Sequence, residues 1–311
     1  MANYLVTGAA GFIGGAIAKK LLSEGNSVVS IDNLSTGRID NVPKGVVFFE
    51  GDCANIDLYS KIPQRKYDAI FHIAGQSSGE ISFDDPIYDI RTNAESTLML
   101  LKFALNNGCK RFVFASTMSV YGRQPDEAIA EKASCKPESF YGVGKLASEH
   151  YMRIYQQYGI NSTSLRLFNV YGPGQNLDNL RQGMVSIYLA QMLKGSCVLV
   201  KGSPDRYRDF INIRNVVEVF IKCLDCQGSY GKEINVATGR RTTVREVIET
   251  LSALFDKKII VEYSGSTSGD VHGIYGDNRL MKSLFNIKEM IEFKDGARDM
   301  YSASLMKYYS N

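Results

Sequence analysis

Tyr4-Leu-Val-Thr-Gly-Ala-Ala-Gly-Phe-Ile-Gly14 is the stretch that decides how this chain reads. Leu5 and Val6 end a short apolar run that predicts a buried strand, and Gly8, Gly11 and Gly14 follow at three-residue intervals. From Phe12 the apolar residues fall at helical spacing through Ile17, Leu21 and Leu22. A strand feeding a glycine turn and then a helix leaves backbone N–H groups free at the helix start. Those donors and the helix dipole favour a pyrophosphate. Gly8 would allow the tight turn, Gly11 the close approach of the phosphates, and Gly14 the packing of helix on strand. The spacing departs from the usual dinucleotide fingerprint, so an ordinary strand-to-helix turn stands as the alternative on this stretch alone.

The next strand separates the two. Ser27–Ile31 is apolar and ends in Asp32, about 20 residues past the glycine turn, where an acid accepts hydrogen bonds from the adenine ribose. An anion there repels a 2′-phosphate, which favours NAD over NADP. Arg38, closing Asn33-Leu-Ser-Thr-Gly-Arg38, is a nearby cation that could reverse the preference.

Composition narrows the classes. A chain of 311 residues holds one large domain or two modest ones with a sizeable core. The net charge of +3 is too small to argue for nucleic acid or a membrane surface. No apolar run approaches the length of a span, and the N-terminus opens directly into a core strand. Cys223-Leu-Asp-Cys226 is a lone C-x-x-C inside the helical pattern Val216–Leu224, which favours packing thiols over zinc or redox chemistry. His72, His150 and His272 are too dispersed for a metal site. The expectation is a cytoplasmic, metal-free protein.

Strands and helices alternate onward. Val46–Glu50 reads as a third strand, with Asp52 placed to hydrogen-bond an adenine edge. Ala69–Ile73 is a fourth, ending in Ala74-Gly75, small enough for a cofactor to pass close. Thr92–Asn106 is helical, with Asn93 near its start as a cap or a buried brace, and Arg111–Ala115 is a fifth strand. Such βαβ repeats imply parallel strands and a ligand at their carboxyl ends.

Candidate chemistry begins where that strand stops, at Ser116-Thr-Met-Ser-Val-Tyr-Gly122. Tyr141-Gly-Val-Gly-Lys145 then opens a helix running to about Tyr158, and residues four apart share a face. An ammonium beside a phenol lowers the phenol pKa towards the range useful for proton transfer. Thr117 could hold a substrate hydroxyl or carbonyl alongside. Y-x-x-x-K alone is common on solvated helix faces; after a βαβ half and a hydroxyl-rich strand end, the catalytic reading prevails.

In these residues the chain resembles the extended short-chain dehydrogenase/reductase family, and within it the nucleotide-sugar epimerases and dehydratases. The resemblance rests on the glycine turn, Asp32-Asn-Leu-Ser-Thr-Gly37, Gly51-Asp52, His72-Ile-Ala-Gly-Gln76, Asn93, Thr117 and the Tyr141/Lys145 pair. It continues through Leu165-Arg-Leu-Phe-Asn-Val-Tyr-Gly-Pro-Gly174 and Arg208-Asp-Phe210. It implies an α/β, Rossmann-type doubly wound parallel sheet with a smaller α/β substrate lobe. Residues 1–170 and 209–237 would form the NAD-binding part, and 171–208 with 238–311 the lobe. The implied cofactor cradle runs from Gly8, Gly11, Phe12, Ile13 and Gly14 to Asp32, Asn33, Ser35, Thr36 and Gly37. Asp52, Cys53, Ile73, Ala74, Gly75, Asn93, Ser116, Tyr141, Lys145 and Phe168 would complete it. Thr117, Asn169, Val198, Val200, Lys201 and Arg208 would contact a nucleotide-diphosphate sugar. The helices at Thr92–Asn106 and Gly142–Tyr158 have the position that pairs relatives into homodimers; intradomain packing is the alternative.

Three outcomes follow C4 oxidation in such a site: epimerisation, 4,6-dehydration or decarboxylation. Dehydratases of the family resemble Thr-Asp-Glu where this chain has Thr117-Met118-Ser119, and a methionine cannot transfer a proton. The decarboxylases' glutamate near Ser119 is absent too. The expected activity is therefore a nucleotide-diphosphate-hexose 4-epimerase of the UDP-glucose/UDP-galactose or UDP-GlcNAc/UDP-GalNAc type, with Thr117, Tyr141 and Lys145 catalytic and Arg208 with Asn169 on the diphosphate. A 4-ketoreductase is the enzymatic alternative and a dinucleotide-sensing scaffold the non-enzymatic one. Two departures bear on the substrate. Lys201 stands where an aromatic often stacks on the base, and Thr267, in Ser266–Asp270, where a diphosphate-binding arginine is usual. Ile274 occupies the neighbourhood that controls access for an N-acetyl group.

Overall fold

The computed structural model describes residues 1–265 and 272–309. Strand β1 (Asn3–Thr7) enters the core at once, with Leu5 and Val6 fully buried. Through the glycine turn it leads into α1 (Phe12–Ser23), which buries Ile17, Ala18 and Leu21 at helical spacing. Next come β2 (Ser27–Asp32) and β3 (Val47–Glu50), parallel to β1 on one side, with Tyr4 opposite Val28. β4 (Ala69–His72) goes to the other side and sets Ala69 against Tyr4. Asp85 caps the following helix through the Tyr88 N–H and Pro86 sits in its first turn. Helix α2 (Pro86–Ile90) therefore begins well before the expected Thr92. A π turn at Arg91–Glu95 joins it to α3 (Ser96–Asn106). β5 (Arg111–Thr117) is buried along its whole length, α4 (Phe140–Tyr155) starts from a Ser139 cap, and β6 (Asn161–Leu167) pairs with β5.

The chain then leaves the sheet through β7 (Asn169–Tyr171), α5 (Met184–Lys194), β8 (Cys197–Lys201) and β9 (Tyr207–Arg208). β10 (Phe210–Asn212), parallel to β7, hands it back through α6 (Ile213–Lys222) to β11 (Lys232–Val236) beside β6. It crosses again into β12 (Thr242–Thr243), α7 (Val244–Ser252, with a Thr243/Glu246 capping box), β13 (Ile260–Ser264) and β14 (Gly273–Ile274). Helices α8 (Arg279–Phe285) and α9 (Phe293–Tyr309) finish the described chain.

The main sheet is a seven-stranded parallel one in the order β3-β2-β1-β4-β5-β6-β11, the doubly wound architecture expected from the sequence. Residues of α1, α6 and α8 pack on one face and residues of α3 and α4 on the other. The order reverses at β1, whose successors lie on opposite sides. Such a switch point opens a crevice at the strands' carboxyl ends. The lobe has its own core, including Val185, Leu189, Val198, Val200, Phe210 and Leu251. Two placements differ from expectation, the first being Phe210, expected in the NAD-binding part but packed in the lobe. In the second, Met281, Phe285 and Ile287 pack with Phe220 and Ile234 in the core of the large sheet, not in the lobe. The apolar face of α8 finds its partner surface on α6 and the edge strand β11. Among the described residues no helix is long and apolar enough to cross a membrane.

Candidate active site

A cavity of about 760 Å³ runs along the carboxyl ends of the central strands and on between sheet and lobe. Its floor is the glycine turn. Gly8 has φ +80°, and a Cβ there would lie 2.9 Å from Ala74 N, so only glycine lets the end of β4 approach. A Cβ on Gly14 would run into the Gly8 carbonyl, which is the helix-on-turn packing expected of it. No side chain caps α1 at Gly11, so its first-turn N–H groups face the cavity wall formed by Gly11, Phe12, Ile13 and Gly14. Asp32 accepts hydrogen bonds from Ala10 N (3.0 Å) and Leu34 N (2.9 Å), which fold the Asn33, Ser35, Thr36 and Gly37 segment over the turn. Arg38 stands 4.0 Å from Asp178 and does not line the cavity.

Buried His72 explains the shape beyond. Thr7 Oγ1 lies 2.9 Å from its Nδ1 and accepts from Ile73 N and Ala74 N at 3.0 Å. Burial holds the imidazole well below its usual range, so it stays neutral. Asp52, Cys53, Ile73, Ala74, Gly75 and Phe168 line the cavity as expected of them. Asn93 is a buried brace and not a cap: its Nδ2 donates to Gln76 O at 3.0 Å, while its Oδ1 has no partner. A helix start without a side-chain cap, an acid at the end of β2 and small residues between them fit an NAD dinucleotide.

At the end of β5, Thr117 Oγ1 lies 3.2 Å from Ser119 Oγ and accepts from Ser119 N. Helix α4 brings Tyr141 and Lys145 to the same wall, both buried. Burial pushes the Tyr141 phenol up to about 12; a hydrogen bond with Thr117 opposes this and the Asp89 charge adds to it. Burial and Thr117 thus weigh most on the phenol, ahead of any charge. Lys145 Nζ donates to Ala115 O (3.0 Å), lies over the Phe114 ring at 4.7 Å and is 5.9 Å from the Tyr141 ring centre. Burial brings Lys145 itself down to about 8, with Asp89 opposing. Ser116 differs from expectation. Its hydroxyl donates to Glu149 at 2.5 Å, inside a buried network in which Arg166 Nη2 meets Glu149 Oε2 at 2.7 Å, so its one proton is engaged there. That network ties α4 to β6.

On the lobe side Asn169, with an unpartnered buried Oδ1, and buried Arg208 line the cavity. Burial, with Arg206 nearby, lowers Arg208 to about 10. Val198 and Val200 do not reach the cavity: both are fully buried in the lobe core, and the alternate residues Leu199 and Lys201 face it instead. A strand offers one face to each side, and the apolar pair took the core. Lys201 Nζ stands 3.7 Å from Glu80, and Arg181 Nη2 2.7 Å from Asp84, so ion pairs bridge the loop after β4 to the lobe. Glu80, Arg181, Gln182 and Tyr188 line the cavity without having been singled out from sequence; the one signal was the polar run 175–182 between Gly174 and Gly183. Ile274 is buried and lines the cavity, whereas Thr267 lies outside the described residues.

Residues 4–237 match the model of the NAD dependent epimerase/dehydratase family. A UDP-glucose 4-epimerase of Mycolicibacterium smegmatis is 31% identical over 94% of this chain and 95% of its own. Among solved structures, the UDP-glucose 4-epimerase of Thermotoga maritima with UDP-glucose is 30% identical, with TM-score 0.92 over 98% of this chain and 99% of that one. The Thermus thermophilus UDP-glucose 4-epimerase in complex with NAD is 32% identical, with TM-score 0.89 over 97% and 98%.

Proposed function

Because the chain belongs to the NAD-dependent epimerase/dehydratase family, with NAD as its cofactor, we propose that it inverts C4 of a nucleotide-diphosphate hexose. UDP-glucose/UDP-galactose or UDP-GlcNAc/UDP-GalNAc are the favoured pairs, in line with its relatives. The observation that carries the reading is the convergence of Thr117, Tyr141 and Lys145 on one wall of the cavity, with Met118 and Ser119 beside them where dehydration would need a proton-transferring pair. Bound in the cradle, NAD supplies the oxidant for C4. Tyr141, in its phenolate form once the Lys145 charge and the oxidised cofactor offset the cost of burial, takes the O4 proton and later returns it. Thr117 donates its hydroxyl proton to the phenolate and so holds that oxygen against O4. Lys145 contributes a buried positive charge beside the phenol. Asn169 and Arg208 fix the diphosphate with charge-assisted hydrogen bonds, leaving the sugar free to present either face. Met118 keeps the C5–C6 side of the sugar without an acid.

Incubation of the purified protein with UDP-glucose, UDP-GlcNAc, GDP-sugars and dTDP-sugars, followed by NMR, tests this. A C4-inverted product without added cofactor is expected. A product that appears only with stoichiometric reduced cofactor would replace the epimerase with a 4-ketoreductase. Failure of every sugar to react would remove the reading.

A further inference from the structure

Asp89, on α2, is a fully buried carboxylate that none of the steps above uses. Its Oδ2 accepts from Gln76 Nε2 at 2.8 Å, while its Oδ1 has no partner at hydrogen-bond geometry. Burial pushes this carboxyl above its usual range, and the Gln76 and Asn93 side chains and the Lys145 charge oppose that. Helix α4 passes close by: a Cβ on Gly144 would lie 3.4 Å from Asp89 Oδ1 and 3.2 Å from Asn93 Cβ. On the other side of Asn93, a Cβ on Gly75 would lie 2.5 Å from Asn93 Oδ1 and 3.3 Å from Lys145 Nζ. Two glycines therefore clear space around the buried Asn93 amide, Gly144 beside the Asp89 carboxylate and Gly75 beside the Lys145 ammonium.

A carboxylate buried this deeply is unfavourable unless an opposite charge compensates it. The other charges near α2 are already engaged. Arg91 pairs with Glu95 at 3.4 Å, Glu149 with Arg166, Glu80 with Lys201 and Asp84 with Arg181. Asp85 caps α2. His72 is neutral against Lys145, Tyr88 is half-buried, and His150 and Arg153 on α4 are exposed. Lys145 and the phenol of Tyr141 remain as the ionisable groups that feel Asp89 from α4.

We propose that Asp89 is a positioning residue for the catalytic pair: its buried charge keeps the Lys145 ammonium protonated and turned to the Ala115 carbonyl. The inference rests on the roles given above to Tyr141 and Lys145. Asp89 acts through those residues and need not touch substrate. Its electrostatic signature has a definite sign. Removing a negative charge makes both neighbouring groups give up their protons more readily, so both limbs of a bell-shaped pH profile move to lower pH together. A residue that merely packed α2 against α4 would lower the profile without sliding it.

The test is Asp89→Asn, which keeps the shape and the Gln76 contact, with Asp89→Ser as a second variant should the first fold poorly. Two readouts are needed. Carbon-13 NMR of labelled lysine, with the resonance assigned through Lys145→Arg, follows Lys145 directly in the protein without substrate. Its midpoint, near 8 in the wild type, should fall by about one pH unit or more in the variants. The pH profile of C4 inversion should slide the same way, with KM within about two-fold of wild type. An unmoved lysine midpoint would overturn the proposal, whatever the turnover. A wild type inactive on every nucleotide sugar would remove the proposed function, while the lysine titration would still decide the role of Asp89.

Discussion

In the proposed reaction Tyr141 carries the hydroxyl that takes the proton, and its surroundings make that hydroxyl hard to ionise. Tyr141→Phe should therefore lower kcat by about a hundred- to ten-thousand-fold, the range for loss of a general base, with KM little changed. A loss of only a few-fold would remove Tyr141 from the chemistry. Thr117→Val forfeits one hydrogen bond to the phenol and should cost about ten-fold in kcat, also read from steady-state kinetics. Lys145 has a consequence for stability. It ionises at about 8 in the fold, against an ordinary 10.5 in the unfolded chain. Below pH 8 the buried ammonium opposes folding, and that penalty is relieved as pH rises from 8 to 10.5. At about 1.4 kcal/mol per pH unit the relief is roughly 3 kcal/mol. Denaturant unfolding should show wild type gaining about that much on Lys145→Met across the window; parallel curves for the two proteins would contradict it.

Among the elements, the sequence was most legible where one period repeats. The glycine turn, β1, β2 and the helix carrying Tyr141 and Lys145 all lie where spacing placed them. It was least legible where two faces compete. In β8 the alternation identified a strand, but which parity met the substrate depended on a lobe core built from residues far along the chain, and Val198 and Val200 went inward. The start of α2 was missed although Asp85-Pro86 is a cap and first-turn signal, because the π turn at Arg91–Glu95 breaks the helical period between it and α3. Asp89 was invisible because its neighbour Lys145 is 56 positions later, joined only by tertiary packing. Helices α2, α3 and α4 also leave Ile87, Ile90, Leu98, Val143 and Ile154 exposed on neighbouring elements. We propose that a second copy covers this face. Light scattering should then report a dimer, and Ile90→Glu with Val143→Glu should give a monomer that keeps its fold by circular dichroism. A wild-type monomer at micromolar concentration would refute it.

For the whole molecule, the cavity is closed along one side by ion pairs between the loop after β4 and the lobe, Glu80 with Lys201 and Asp84 with Arg181. If they hold the lobe over bound substrate, Glu80→Ala with Asp84→Ala should raise KM by about three- to ten-fold without lowering kcat. High salt should raise the wild-type KM and leave the double variant nearly unmoved; equal salt responses would exclude this role. The path of the chain between sheet and lobe constrains more than catalysis. β6 finds its outer neighbour only in β11, and α8 closes the same edge from still later in the chain. A nascent polypeptide leaving the ribosome would thus carry a raw, adhesive strand at β6 until Val236 emerges. Release from synthesis anywhere before that point should yield aggregates instead of a working half, and slow translation there would lengthen the chain's dependence on chaperones.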